Sequence, residues 1–584
     1  MSSVVLWRGD NVEIWAHQQQ AYDGKMLFCA RMGIPLNYVK LHVVHQGSQF
    51  GHGGNPMMHH THGLHVISAI LSKRTGRAVK TLYDRRDNFY GLSQDAEANT
   101  KFKVGFNKDG TITAVKLDTI VAKMGQYGID HFLDNTRIPN LLLNYIEAQC
   151  NIPPAWWMRC EQNHNSFCLS AVFEHVAVAL GMDPTEVALK NDGVEGKDME
   201  YLAAFKKDHG FPVRDSLAEI IEKGKAAVDW DANWHAPGKR VLPNGRLHGI
   251  GFTWDHEWDD IRGVSCVGLM VNVDGTVDIL AQKSDVGCDY MTTHCRIVAE
   301  EIGLPIEHVN WRHFEECGFQ MMTPDGSCNL CVDAYASIAA ARKVRRKILE
   351  YAVTPTTLID IEYPPEFPGY KIEDLEIVDG IVRVKADPTV QCPLSEVVKR
   401  ATVEQAGTRA PVFDWAWHRQ GRYGVQEGRH RLCRQCYFTE VEVDPDTGEV
   451  EVKKFVSVND VGLAVSPESC EGQQYGGAYM GVGRALGEEV VFDPKTGVKL
   501  TGDYIDYKVF TIRDIGETVN ILHESGMGYG AYGLVGIGED IATVAPGAIG
   551  NALHNAIGEW VDEHPITPAR VLEAIDKARE KGIL

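Results

Sequence analysis

The sequence predicts an α+β protein made of two mixed α/β halves. At 584 residues the chain is too long for one ordinary hydrophobic core. Strand-like runs closed by glycine turns and followed by apolar helices occur twice, on either side of a charged, helical stretch from about Asp192 to Pro243. The two halves share a strand-then-helix grammar, as a pseudo-repeat would, and no low-complexity segment interrupts it.

The opening Val-Val-Leu-Trp-Arg-Gly-Asp-Asn-Val-Glu-Ile-Trp15 reads as a hairpin, apolar from its first residues and reversed at Gly-Asp-Asn. Asp23 to Met32 form a helix ended by Gly33-Ile-Pro35, and Val39 to Val44 a strand. Gly47-Ser-Gln-Phe-Gly-His-Gly-Gly54 is a strand-to-helix glycine loop, whose free amides suit an anionic or strongly polar ligand, or a plain turn. His59, His60, His62 and His65 follow, before a helix carrying Leu64, Ile67, Ile70 and Leu71. Histidines so placed are either metal ligands or, more often, the polar entrance of a helix. Phe106-Asn-Lys-Asp-Gly-Thr-Ile-Thr is a strand–turn–strand, and a helix from Leu169 to Leu180 closes at Gly181-Met-Asp-Pro.

In the second half, Gly249-Ile-Gly-Phe-Thr253 opens a strand, and Asn272-Val-Asp-Gly275 turns a strand pair. Ser284 to Asp289 lead into a helix with Ile297, Val298 and Ile302, and a longer helix covers Ala334 to Tyr351. Near the end, a glycine-rich apolar run puts Glu539 just before a helix with Ile549, Ala552, Leu553, Ala556 and Ile557 on one face. That is how a general base is mounted where backbone can approach a ligand, and equally how an acidic residue sits at a helix start; taken alone, the run favours the second reading.

With 58 basic and 79 acidic residues and a net charge of −21, the chain is expected to bind neither nucleic acid nor an anionic membrane unaided. It has no run of about 18 apolar residues, and Met1-Ser-Ser-Val lacks the basic and apolar regions of a signal peptide, so a cytoplasmic location is expected. Fourteen scattered cysteines fit reduced thiols. Cys328/Cys331 and Cys433/Cys436 have cluster-like spacing, but Cys433 to Val443 reads as a strand, where side chains at i and i+3 face opposite sides. No metal cluster is expected.

Several loops together resemble the large, molybdopterin-binding subunit of the xanthine oxidase (molybdenum hydroxylase) family. Those loops are Asn459-Asp-Val-Gly462, Glu471-Gly-Gln-Gln-Tyr-Gly-Gly477, Gly481-Val-Gly-Arg-Ala-Leu-Gly-Glu-Glu489, Gly536-Ile-Gly-Glu539 and Pro565-Ile-Thr-Pro568, in the family's order and spacing. Trp15-Ala-His-Gln-Gln19, Phe50-Gly51, Asn151 and Arg159 fall where family loops are expected.

The resemblance implies two molybdopterin-binding halves, residues 1–215 and 216–584, with a molybdenum cofactor between them, possibly in its cytosine dinucleotide form. No side chain would bond the metal, which is held through the pterin. Glu539 would be the general base and have a raised pKa; Gln19 would donate a hydrogen bond to the oxo ligand. Phe50, Gly51, Met158, Arg159, Val286, Gly287, Cys288, Ser327, Cys328 and Gln473 would hold the pterin and its phosphate, and Cys160, Glu161, Phe252 and Thr253 would line the substrate pocket.

Departures from the family narrow this picture. Arg159-Cys160-Glu161-Gln162 replaces the usual Arg-Gly-Phe-Gly, placing an acid where a substrate-stacking aromatic often stands. Gly54 replaces the Glu that purine oxidisers carry, so the expected substrate is a small organic molecule other than xanthine. Val286-Gly-Cys-Asp289 replaces Met-Gly-Gln-Gly. Arg159-Cys160 also resembles carbon monoxide dehydrogenases, whose cysteine carries copper, although Glu161-Gln162-Asn163 breaks that match. A hydratase acting on an activated double bond and a non-catalytic scaffold are the remaining alternatives. Because the chain begins almost on the Trp15 strand, a complementary polypeptide is expected to supply a further domain, with a 2Fe–2S subunit and an FAD subunit as further partners.

Overall fold

The computed structural model describes residues 2–16, 18–19, 21–42, 46–47, 60–91, 97–122, 136–150, 162–192, 216–256, 263–313, 321, 327, 329–358, 360–404, 412–420, 434–526, 528, 530–538 and 540–584. It is a mixed α/β fold. Strands β1 (Ser2–Arg8) and β2 (Asn11–Ala16) pair as the expected antiparallel hairpin, helix α1 (Ala21–Met32) crosses over, and β3 (Val39–His42) returns parallel to β2. The hairpin alternates because one face must be dry: Val5, Trp7, Val12, Ile14 and Ala16 are buried. Helix α2 (His60–Thr75) packs on this sheet and β4 (Val79–Leu82) closes its far edge, in the order β3-β2-β1-β4.

After α3 (Arg85–Gly91), strands β5 (Ala98–Phe106), β6 (Ile112–Ala122) and β7 (Leu141–Ala148) form a second sheet, with the expected turn between the first two. Helix α4 runs Gln162–Leu180, beginning seven residues before the expected Leu169, and is followed by α5 (Pro184–Asn191) and α6 (Leu217–Val228). The early start was missed because Gln162-Asn-His-Asn-Ser is polar and of low helix propensity. Strand β8 (Leu247–His256) then enters a third sheet.

Strands β9 (Gly263–Val271) and β10 (Val277–Ala281), helix α7 (Tyr290–Ile302) and β11 (Val309–His313) repeat the path of the first unit: hairpin, helix, parallel strand. Both units carry a Gly-x-Pro at the helix exit, Gly33-Ile-Pro35 and Gly303-Leu-Pro305, and a single turn of 3-10 helix before the third strand. The repetition is thus seen in residues 2–42 and 263–313, a shorter extent than the two halves that the sequence suggested. Helix α8 (Asn329–Val353), five residues longer at its start than expected, lies under the second unit. A hairpin of β12 (Thr356–Leu358) and β13 (Ile361–Tyr363), a meander of β14 (Leu375–Val378), β15 (Ile381–Val384) and β16 (Asp387–Pro393), and α9 (Leu394–Glu404) add a layer, and β17 (Val412–Gln420) completes the sheet β11-β10-β9-β17.

Strands β18 (Arg434–Val443), β19 (Val450–Asp460) and β20 (Glu517–His523) join β8 as the sheet β20-β19-β18-β8. Cys436 is buried in β18, as its strand reading requires. Helices α10 (Pro467–Leu486), α11 (Asp540–Ile557) and α12 (Pro568–Glu580) cover one side. Helix α11 is apolar almost all round, and so it is central. It lies so close to β8 that a Cβ on Gly249 would stand 2.0 Å from Ala552 O, and one on Gly251 2.2 Å from Ala552 N. Only glycine permits that approach. The opposite side of β18 shares a core with β6, α4 and α6, and fully buried Arg434 pairs with Asp192 at 2.7 Å, so this core crosses from one half of the chain to the other. No helix among the described residues is long and apolar enough to cross a membrane.

Candidate active site

Two equivalent loops, one from each repeated unit, meet through hydrogen bonds. Gln18-Gln19 follows β2 and residues 282–289 follow β10, each leading into the crossover helix of its unit. Gln19 is buried, and its main-chain oxygen accepts a hydrogen bond from Ser284 Oγ at 3.1 Å. Gln46 N, at the root of the first glycine loop, donates to Asp285 O at 3.0 Å. The second loop is wound by its own aspartate: Asp285 Oδ1 accepts from Gly287 N at 2.8 Å and Cys288 N at 3.1 Å. This winding needs a left-handed residue, and Gly287 supplies it at φ 104, with nothing among the described residues within 4 Å of where a Cβ would be.

Helix α10 brings Gln473 onto this loop. Its Nε2 donates to Gly287 O at 3.1 Å, and its Oε1 faces the Cys288 thiol at 3.8 Å. Ser469 Oγ donates to Asp289 Oδ2 at 3.3 Å, a second tie between α10 and the loop. Gln19, Val286, Gly287, Cys288 and Gln473, all singled out from the sequence, are thus within one connected group.

Ser327 occupies a left-handed position, φ 56, and its Oγ accepts from Gly538 N at 3.1 Å. A Cβ on Gly536 would lie 1.3 Å from Ser327 O, so the Gly536-Ile-Gly538 backbone is pressed against that serine. The run ahead of it is fixed at several points: Val535 N donates to Val461 O at 3.0 Å, and the Cys331 thiol faces Leu534 O at 3.8 Å. Tyr532 is held at φ 60, where a non-glycine residue is strained, and its hydroxyl donates to Glu301 Oε1 at 2.6 Å. Glu301 is gripped by Arg342 through Nε at 2.7 Å and an Nη at 3.0 Å. Burial and the Glu301 carboxylate push the Tyr532 phenol well above its ordinary range, so it remains a donor.

Phe50, Gly51, Met158, Arg159, Cys160, Glu161, Cys328 and Glu539 lie outside the described residues. The residues flanking Glu539 are described: Gly538 N donates to Ser327 Oγ, and α11 begins at Asp540. Phe252 and Thr253 are in the middle of β8; the Phe252 ring packs 5.0 Å from Phe438 in the core, and the Thr253 hydroxyl pairs with Ser170 Oγ. Of the early histidines, His65 is buried with Nε2 3.2 Å from Gln18 Oε1, a structural contact. Among the described residues no three His, Cys, Asp or Glu side chains converge as a metal site.

Sequence reasoning missed Gln46, Asp285, Tyr532 and the pair Lys283–Asp333. Gln46 is the most telling. Both atoms of its side-chain amide are shielded from solvent without a hydrogen-bond partner among the described residues, beside the root of the glycine loop. A buried amide left so costs about 1–3 kcal/mol and suits a ligand that would satisfy it. Its place directly before Gly47 was the available signal.

Models of molybdopterin cofactor-binding domains match residues 1–192 and 222–516. The chain is 25% identical over 537 residues to the xanthine dehydrogenase molybdenum-binding subunit of Escherichia coli O157:H7, an alignment covering 87% of this chain and 66% of that one. It is 25% identical over 602 residues to the probable hypoxanthine oxidase XdhD of Escherichia coli (strain K12), covering 97% and 58%. It therefore spans less than two thirds of either relative. In fold it is similar to quinoline 2-oxidoreductase from Pseudomonas putida 86, with a TM-score of 0.82 at 21% identity, over 99% of this chain and 74% of that one. Matched over both halves by molybdopterin cofactor-binding domains, the chain belongs to the xanthine oxidase family as a large, molybdenum-binding subunit.

Proposed function

We propose that this chain is the catalytic subunit of a molybdenum hydroxylase that oxidises a small organic substrate other than xanthine, with the inserted oxygen drawn from water. The observation that carries this reading is the single hydrogen-bonded group in which Gln19, the Val286–Cys288 loop and Gln473 are joined, with the Ser327–Gly538 contact fixing the backbone next to Glu539. The donor set fits the cofactor. Gln19, Gln46 and Gln473 are neutral amides, no described residue lies within 4 Å of where a Cβ on Gly287 would be, and a polar anionic group needs donors rather than side-chain ligands. Residues 1–215 and 216–584 would be the two cofactor-binding domains.

When bound, the molybdenum cofactor supplies an oxygen atom derived from water and a sink for two electrons. The chain supplies the rest. Glu539, through a carboxylate oxygen, would accept the proton released as the oxygen nucleophile attacks an electrophilic carbon. Gln19 Nε2 would donate a hydrogen bond to the metal's terminal oxygen. Gln473, Cys288, Ser327 and Cys328, with the main-chain donors of Phe50-Gly51, Met158-Arg159 and Val286-Gly287, would orient the pterin and phosphate. Cys160 and Glu161 would face the substrate, backed by Phe252 and Thr253. Electrons would leave through a 2Fe–2S subunit and an FAD subunit of a cytoplasmic assembly. The cofactor would take its cytosine dinucleotide form.

The natively purified assembly, assayed by dye reduction against aldehydes and nitrogen heterocycles in oxygen-18 water, tests this. Product labelled from water is expected, and Glu539→Gln should lower turnover about 100- to 10,000-fold while keeping the cofactor. Label arriving from dioxygen would overturn the reaction class, and unchanged turnover in Glu539→Gln the base assignment.

A further inference from the structure

The register of the two units identifies equivalent positions. Val12 faces Val39 across β2 and β3, and Val277 faces Val309 across β10 and β11. Six residues beyond these valines stand Gln18 and Lys283, each at the start of the loop that leads to the crossover helix. Each reaches the long helix that follows the third strand. Gln18 Oε1 meets His65 Nε2 on α2 at 3.2 Å, and Lys283 Nζ meets Asp333 Oδ2 on α8 in direct contact. The first tie joins an amide to an imidazole. The second is an ion pair with both side chains almost wholly shielded, 1% and 0% exposed.

Lys283 does more than reach Asp333. Its ammonium also lies 4.1 Å from the centre of the Tyr290 ring, the first residue of α7, so one group touches both ends of the segment Ser284–Asp289. Within that segment Ser284 holds Gln19, Asp285 holds Gln46 N, and Gly287 and Cys288 meet Gln473. Behind it, His294 Nδ1 and Ser337 Oγ at 2.9 Å join α7 to α8. A buried ion pair is seldom the most stable filling for such a space, because desolvation offsets much of its attraction, whereas its directionality fixes geometry.

We propose that Lys283 and Asp333 are positioning residues that hold the Ser284–Asp289 loop in the conformation that grips the pterin, the charged counterpart of the Gln18–His65 tie. This rests on the cofactor reading above. The test compares natively purified wild type, Lys283→Met, Asp333→Asn and the double variant Lys283→Met/Asp333→Leu for molybdenum, released pterin and melting temperature. The single variants should lose about tenfold in cofactor retention. The double variant, with no unpaired buried charge, should recover the melting temperature but not the cofactor. Should the single variants retain wild-type cofactor, or the double variant recover it together with stability, the pair is only a structural filling and the proposal fails. Wild type without pterin would overturn the cofactor reading itself, and this inference with it.

Discussion

Residues 2–42 and 263–313 trace the same path, but their surroundings differ. The first unit has a small core of its own, built from Val5, Trp7, Val12, Ile14, Phe28 and Leu41 with a few neighbours. The second is sunk in a cluster that extends through α8, β14–β16, α9 and β17. Their helix exits show the consequence. Gly33, at φ 65, has no described residue within 4 Å of where a Cβ would be; Gly303, at φ 95, has Ile377 O at 2.1 Å. Their loop ties differ likewise, an amide–imidazole contact in one and a buried ion pair in the other. A repeated backbone thus sets where a loop is tied, while the packing around it sets how much a broken tie costs.

The ties give the largest expected contrast. Asp333→Ala leaves the Lys283 ammonium buried and unpaired, and should destabilise the second unit by about 3–5 kcal/mol. Gln18→Leu removes the Gln18 Oε1–His65 Nε2 contact, for about 1–2 kcal/mol in the first. Amide exchange in β3 and β11 measures both; equal losses would break the comparison. The glycines come next. Gly303→Ala combines left-handed strain with a backbone collision and should cost about 3 kcal/mol, while Gly33→Ala should cost about 1 kcal/mol. Melting curves of the two variants check this, and a harmless Gly303→Ala would contradict the observed packing.

The smallest effect concerns pH. Burial, and then the Lys283 charge, hold the pKa of His294 well below 6.5. In the folded state it stays neutral, whereas the unfolded chain takes up a proton below 6.5, so stability rises with pH up to about 6.5 and falls as the solution is acidified past it. Wild-type stability should therefore decline between pH 6.5 and 5, and His294→Asn should flatten that slope. An unaltered slope would assign the acid sensitivity elsewhere. The first unit has His65 at the corresponding tie, bound to an amide instead of lying beside a buried ammonium.

Much of this was legible in local pattern. The Val4–Trp15 hairpin, the Gly-x-Pro helix exits and the apolar face of Ile549, Leu553 and Ala556 declare themselves because each depends on residues close together in the chain. Gln19, Gly287 and Gln473 were reached only because several loops matched a family together; no periodicity marks them. Lys283 and Asp333 were missed for a physical reason. They are fifty residues apart, one on a loop and one on a helix, and only the parallel register of β10 with β11 and the position of α8 beneath it bring them together. Gln46 passed as an ordinary polar residue because the burial of its side-chain amide without a partner among the described residues is a property of the folded chain.

The most direct measurement is the molybdenum and pterin content of the natively purified chain, by metal analysis and by fluorescence of the released pterin. The account predicts about one of each per polypeptide, since the proposed site around Gln19, Gly287, Cys288 and Gln473 is a single connected group. A folded, monodisperse chain containing neither would contradict it.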